Sequence, residues 1–505
     1  MALADLVASP FSEKHYLAIL TPYDIDGAAL KTIYYSTQGF TTEPADTPSN
    51  QHFEGRIDTA LSFSRSMFQQ GVIGGKSIPS FGELRLANPD GALDDLSGYA
   101  FDGRAVTIKL GAVDDAYSDY STIFEGTADG IEFTDTDVVI RLRDFQETLT
   151  LPIQTTLYAG TGGNEGGADL KGTRKPLCFG RCLNVTPIMI DAATGLYQVH
   201  DGLINDVDAL YVGGVGYTKV AAPPGANQYS VNVTTGVVTV NGGPLTAQVT
   251  CDVQGSKPST YLVTTADIMD EIVQTYGGFS AGDIDATSIS DLNTANSATV
   301  GIYVDGKNEK TILSVLDELI ASVGGFYGFN RSGKFEVGQI VAPTGTADGE
   351  YSETEILSLQ RVPTHVASHR VTLGYEPNWT KQVEFQLAAG AASATRDFTA
   401  REFRHVTTND AAVLTKHLNA TELKLNTLLD TSASATTEAA RLLVIYKADR
   451  DVYRVRLKVQ PFTLHLNDVV QITFGRYGLT SGKKFLVVGL VEDADLNEIE
   501  LELWG

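Results

Sequence analysis

The sequence predicts a mainly β protein with an α+β middle. Three observations carry this. Apolar and polar residues alternate in short runs toward both ends, and period two places apolar side chains on one face of a strand. Gly-, Asn- and Asp-rich turn signals separate the runs. Helical spacing gathers in the centre, with one further stretch near Thr437 to Lys447.

In chain order, Asn88-Pro89-Asp90-Gly91 and Phe101-Asp102-Gly103-Arg104 are turns. Val106, Ile108 and Leu110 then form one apolar face, and Val138, Ile140 and Leu142 another. Gly160 to Gly172 reads as a flexible loop and a domain boundary. Strands surround Tyr211-Val212 and Val231 to Val240, with Thr235-Gly236 in a hairpin. Thr264 caps a helix whose buried stripe is Ile268, Ile272 and Tyr276, and Gly277-Gly278 end it. A second helix runs from about Glu309 to Ser322, with Ile312, Leu316 and Leu319 on one face. A hairpin follows, Phe326 to Phe329 and Lys334 to Val337, turning through Asn330-Arg331-Ser332-Gly333. Pro343 to Gly349 is a second linker. Tyr453, Val455, Leu457 and Val459 alternate again, as do Ile499, Leu501 and Leu503.

The chain has 505 residues, which at roughly 100–200 per domain predicts about three domains. We place them at 1–159 (β-rich), 160–345 (α+β, two small units) and 346–505 (β-rich). No short-period repeat of solenoid type is visible, but the two β-rich ends can still be related folds, because β-barrels diverge easily in sequence. A hydrophobic content of 43% with 20% charged residues is that of packed domains, not of a disordered chain.

Charge and cysteine usage narrow the function. Lys and Arg number 37 against 62 Asp and Glu, a net −25. Such a chain is unsuited to wrapping nucleic acid, which needs clustered cations. An acidic wall is compatible with a channel through which nucleic acid slides, and equally with plain solubility. Three cysteines are no disulfide framework, so folding in a reducing cytoplasm is expected. Met1 to His15 lacks the pattern of a signal peptide, and no run approaches the roughly 18 apolar residues of a membrane helix.

The motifs that carry chemistry are fragmentary. His365 and His369 have zinc-like spacing, but Pro363 precedes them and no Glu follows His365. Gly74-Gly75-Lys76-Ser77 ends like a phosphate loop, yet position 70 is Gln and Pro79 blocks the helix. Asp24-Ile25-Asp26-Gly27 is a fragment of a calcium loop and reads as a turn. Asp114, Asp115, Asp119 and Glu125 are possible hydrolytic carboxylates, as in any acidic loop; there is no Gly-x-Ser-x-Gly elbow. Cys178, Cys182 and Cys251 are iron–sulfur candidates if a fourth ligand joins them, against the reading that they pack in a core. Arg454, Arg456 and Lys458 share a strand face and are interface candidates, for phosphate, for an acidic neighbour or for an acidic copy of the chain.

Several ordered phrases carry a resemblance: Gly82-Glu83-Leu84-Arg85-Leu86-Ala87-Asn88-Pro89-Asp90-Gly91-Ala92-Leu93-Asp94; Tyr99 to Arg104; Phe124-Glu125-Gly126 before Arg141-Leu142-Arg143-Asp144; Lys175-Pro176, Gly180 and Asn184-Val185-Thr186-Pro187; Tyr197-Gln198-Val199 and Tyr211-Val212-Gly213-Gly214; Ser322-Val323-Gly324-Gly325-Phe326-Tyr327; Leu466-Asn467-Asp468-Val469-Val470, then Arg476-Tyr477-Gly478-Leu479 and Gly482-Lys483-Lys484-Phe485. In this order the chain, from about 80 to 505, resembles the baseplate or tail-tip hub proteins of long-tailed bacteriophages and gene transfer agents. The resemblance implies two tail-tube-like β-barrel domains flanking inserted domains, and a homotrimer presenting six barrels. It implies a structural virion protein, not an enzyme, located at the tail tip and assembled in the host cytoplasm. It implies as partners the distal tail protein or tail tube, the tape-measure protein and central fibre or tip proteins, with DNA passing through the channel unread. Some relatives carry an iron–sulfur cluster on four cysteines; three stand here. A tip receptor- or carbohydrate-binding protein and a tail-associated cell-wall hydrolase are the alternatives.

Overall fold

The structure, a computed structural model, describes Leu6 and residues 13–68, 78–241, 245–362, 367–448, 450–459 and 462–505. It is mainly β, with several sheets and a helical contribution concentrated in the middle.

The alternating runs near the N-terminus become β1 (Lys14–Leu20), β2 (Ile57–Ser66), β3 (Phe81–Ala87), β4 (Ala105–Ala112), β5 (Ser121–Phe133) and β6 (Asp137–Arg143). They are neighbours in the order β2-β3-β6-β5-β4-β1. The residues read as apolar faces, Val106, Ile108, Leu110, Val138, Ile140 and Leu142, all point into one core with Leu61, Phe63, Leu84 and Leu86. Burying one such side chain contributes about 1.5–3 kcal/mol, so the alternation itself fixes which face turns inward.

The middle packs around α1 (Thr265–Thr275), α2 (Ala286–Ala295) and α3 (Ile312–Ala321), against β7 (Leu177–Val185), β10 (Gly301–Val304) and the hairpin β11 (Gly325–Phe329) and β12 (Phe335–Gln339). Thr264 caps α1 by accepting from the Asp267 N–H. Helix α3 starts at Ile312, not Glu309, because Thr311 is its cap and Lys310 gives its carbonyl to Ile153 N–H. Helix α2 has no strong apolar stripe; Asp285 caps it through the Thr287 and Ser288 N–H groups. A second sheet joins β7 to β8 (Ile204–Val212) and β9 (Val249–Ser256).

Toward the C-terminus come β13 (Gly349–Tyr351), β14 (Ile356–Val362), β15 (Ser368–Tyr375), β16 (Arg404–Asn409) and β17 (Thr421–Asn426). Helix α4 (Ser432–Tyr446) packs on β15. It begins well before Thr437, because Thr431 caps it and buried Glu438 is paired with Arg441. The chain ends with β18 (Val452–Leu457), β19 (Val469–Ile472), β20 (Lys483–Asp493) and β21 (Glu498–Trp504). Val455, Leu457, Ile499, Leu501 and Leu503 face a core of their own.

Two features differ from the sequence reading. Gly160 to Gly172 is not a loose linker: Glu165 binds Lys175 and the Ala159 N–H, and Leu170 packs beside Tyr158 and Ile190. The expected pair of barrels also takes another form. Among the described residues no barrel closes; each end is a curled open sheet. Both belong to one 15-stranded sheet, because β20 outruns its short neighbour β19 and pairs its remainder with β2.

The two curls repeat one topology. The order β3-β6-β5-β4 in the first matches β18-β21-β20-β19 in the second, with the same chain connections. A bulge interrupts β5 before Gly130 and β20 before Gly489. The flanking strand is β2 on β3 and β14 on β18.

Candidate functional site: the joint between the two sheets

At the joint, Gly489, Leu490, Val491, Glu492 and Asp493 of β20 pair antiparallel with Ser66, Arg65, Ser64, Phe63 and Ser62 of β2. Two faces result, an inner charged cluster and an outer polar surface.

On the inner face, Glu492 is 1% exposed, Arg65 2% and Arg331 7%, so three charges are removed from water together. Glu492 accepts from Arg331 Nε at 3.2 Å and from the Phe462 N–H at 2.7 Å. Arg331 also donates to the Leu464 carbonyl. Arg65 lies 3.9 Å from Glu492, and its Nε and both terminal nitrogens have no hydrogen-bond partner among the described residues. Charge alone therefore holds Arg65, and burial pushes its guanidinium below the usual range. The cluster draws on β2, the β11–β12 turn and β20, which joins both ends of the chain to the middle. Arg331 lies in the turn recognised from sequence. Arg65 and Glu492 went unrecognised, although each is a charge at an inward rung of an apolar run, after Leu61 and Phe63 and after Leu490.

Nearby groups titrate in unusual ranges. Burial pushes Glu336 up to about 7. Burial, with the charge of Asp348, raises Asp468 to about 6. Burial, then Arg331, lowers His465 to about 4. A carboxyl with a raised folded-state pKa binds its proton more tightly folded than unfolded. Its stabilisation is present at low pH and lost as pH rises through that value. His465 works the other way: as pH falls toward about 6.5 its imidazole takes up a proton more readily unfolded than folded, which offsets part of that gain. Acidification from pH 8 to pH 6.8 is therefore expected to raise the thermal midpoint of the wild type relative to that of Glu336→Gln, which lacks this group. Equal slopes for both proteins would contradict the assignment.

The outer face runs unbroken across β18-β21-β20-β2-β3-β6. Arg454 stands opposite Glu502, Arg456 opposite Glu500, Val491 opposite Ser64, Phe81 opposite Arg143, and Glu83 opposite Arg141. Its charges are mostly paired in place: Arg456 and Lys458 both reach Glu498, at 2.6 and 3.3 Å, Arg85 reaches Glu83 at 3.1 Å, and Arg143 reaches Asp129 at 3.0 Å. The interface candidates Arg456 and Lys458 thus have a partner within the chain. Arg454 lines a groove of about 280 Å³ with Ser64, Phe81, Val491 and Glu502.

The other candidates fall elsewhere. Cys178, Cys182 and Cys251 are fully buried among Val185, Val207, Leu210 and Val253. Cys178 Sγ donates to the Val199 carbonyl and Cys182 Sγ to that of Phe179. Burial pushes the Cys178 and Cys251 thiols up. Among the described residues no group of three or more His, Cys, Asp or Glu is arranged to hold a metal ion. His365 and Gly74 to Ser77 lie outside the described residues. His369 Nδ1–H donates to the Ala420 carbonyl. Asp24 is a turn residue, accepting from the Gly27 N–H and pairing with Lys31. Asp115 caps its own turn at the Ala112 N–H, while Glu125 packs against Gly333 of another turn. A cleft of about 490 Å³ beside α3 has Trp379 and Phe403 in its wall, but the Asn378 amide there is already bound to Asn184, Thr399 and Arg401. No described helix is long and apolar enough to cross a membrane.

No family model matches the chain, and no curated protein matches it. Its fold is similar to solved tail proteins. A tail protein from Neisseria meningitidis MC58 shares 9% identity over 97% of this chain and 96% of that one, at a TM-score of 0.42. The 43 kDa tail protein of prophage MuSo2 from Shewanella oneidensis shares 9% over 97% and 98%, at 0.43. A chain from the virion of a native gene transfer agent particle shares 15% over 66% and 84%, at 0.45.

Proposed function

We propose that this chain is a structural protein of a phage or gene-transfer-agent virion, the tail-tip hub that joins tail tube to tip. It acts as a homotrimer and forms part of the channel for the tape-measure protein and DNA. It meets the distal tail protein or tail tube on one side and central fibre or tip proteins on the other, and it catalyses no reaction. It assembles in the host cytoplasm.

One observation carries this reading: a single chain holds two copies of one curled-sheet topology, fused edge to edge. Three such chains provide six equivalent curls, which adapts a six-fold tube to a three-fold tip. The paired charges of the outer face support a channel wall, since a polyanion sliding past finds few cations without an acidic neighbour. The hydrolase reading gains nothing from its candidates Asp115 and Glu125, since the first caps its own turn and the second packs against another.

Sedimentation of the purified chain, and of the assembly released from virions, tests the proposal. A species of three times the chain mass is expected in the virion-derived sample. A stable monomer in both would overturn it.

A further inference from the structure

The internal repeat leaves two strand edges without the partner that their counterparts have. In the second curl, β20 continues past β19 beyond its bulge, and that stretch pairs with β2 of the first curl. In the first curl, β5 likewise continues past β4, whose pairing ends at Thr127. Beyond the bulge, Gly130 to Phe133 pairs with β6 on one side and with no other strand on the opposite side, among the described residues. The counterpart of β2 is β14, which pairs with β18 and is the terminal strand of the sheet. So the repeat contains one joint, β20 with β2, and within the described residues the matching parts of a second, β5 and β14 as far as Val362, which are not joined to each other.

Space agrees with topology. A Cβ added at Gly489 meets Ser66 Oγ of the joined strand at 3.3 Å, whereas one added at the matching Gly130 meets nothing within 4 Å. Phe133 and Leu357, on the two open edges, are 40% and 52% exposed. Unpaired N–H and C=O groups along an edge strand are a template for another strand. We propose that β5 of one copy of this chain pairs antiparallel with β14 of a second copy, repeating between molecules the joint that β20 and β2 make within one. The contact is head-to-tail, each copy giving one edge of each kind, so it closes into a ring or propagates. It takes only the number of copies in the ring from the trimer reading above.

The rungs follow from the bulges. Glu492 lies three residues past Gly489, as Phe133 lies three past Gly130, and Glu492 faces Phe63. Phe63 sits opposite Gly82 of β3 as Arg361 sits opposite Tyr453 of β18. Phe133 and Arg361 therefore face each other between copies, within reach of a disulfide if both are cysteine. The test mixes full-length Phe133→Cys with full-length Arg361→Cys under mild oxidation and weighs the products, with sedimentation run on the same samples. A covalent dimer in the mixture, and in neither protein alone, is expected. A trimer without the mixed cross-link overturns the edge pairing and leaves the trimer standing. Cross-linking of Phe133→Cys with itself overturns the head-to-tail geometry, and a wholly monomeric sample overturns both.

Discussion

Glu492→Gln is expected to loosen the joint between the two curled sheets by about 3–5 kcal/mol, the cost of removing one partner from a buried ion cluster. Three charges share that site, two guanidiniums and one carboxylate, and among the described residues the carboxylate is the only anion in hydrogen-bond contact with Arg331. Glutamine keeps the shape and one acceptor but leaves two buried cations facing each other. Arg65 suffers most, because no hydrogen bond offsets the loss of its counter-charge. The measurement is amide exchange at Ser62 to Ser66 together with the thermal midpoint. Protection should fall by two orders of magnitude or more in β2, since about 1.4 kcal/mol is a factor of ten. Replacing Arg65, Arg331 and Glu492 together by Met should recover most of it, as buried ion groups are often no better than well-packed apolar ones. A loss below about 1 kcal/mol for Glu492→Gln would mean that the cluster is solvated in a way its burial denies.

What the sequence made legible was local. Alternation at Val106-Ile108-Leu110 and at Ile499-Leu501-Leu503 states which side of a strand is apolar, and each run became a strand with that side buried. Thr264, four residues before the apolar stripe begins at Ile268, announced the start of α1. Pairings between distant segments were not legible. Ser66 hydrogen-bonds to the Val488 carbonyl across 422 positions, and nothing in either run names the other. The repeat of the two curls escaped for a related reason: it lies in strand order and bulge position, while the side chains at matching rungs differ, as Leu84 and Val455 do. Arg454 and Arg456 lie on β18 and Lys458 one residue past its end, and the acidic strand that neutralises Arg456 and Lys458 arrives only through register. The cysteines show the opposite limit. Their spacing suits a ligand set, and the apolar shell that surrounds them is assembled from strands far apart in the chain.

That shell makes the second prediction. Gly301→Ala is expected to cost about 3 kcal/mol or more and to open the cysteine core. Strands β7 and β10 meet with Gly180 opposite Gly301. An added Cβ at Gly301 would lie 1.8 Å from the Arg181 carbonyl oxygen, and one at Gly180 would lie 1.9 Å from that of Val300. These obstacles are backbone atoms in a paired strand, which cannot rotate away as a side chain does, so the two strands must separate. Gly255 closes the same core from β9, where a Cβ would sit 2.3 Å from the Cys178 carbonyl oxygen. Three glycines thus let three strands approach around Cys178, Cys182 and Cys251. Thiol labelling without denaturant reads the result: the wild-type thiols should be inert, since all three are fully buried and two are held in thiol form by burial. In Gly301→Ala they should react within the labelling time, alongside a lower thermal midpoint. Gly328→Ala, on the neighbouring hairpin where an added Cβ meets nothing within 4 Å, should change neither reading. Inert thiols and an unchanged midpoint in Gly301→Ala would show that β10 can move off β7 freely, and that the close glycine contact is not what holds this core shut.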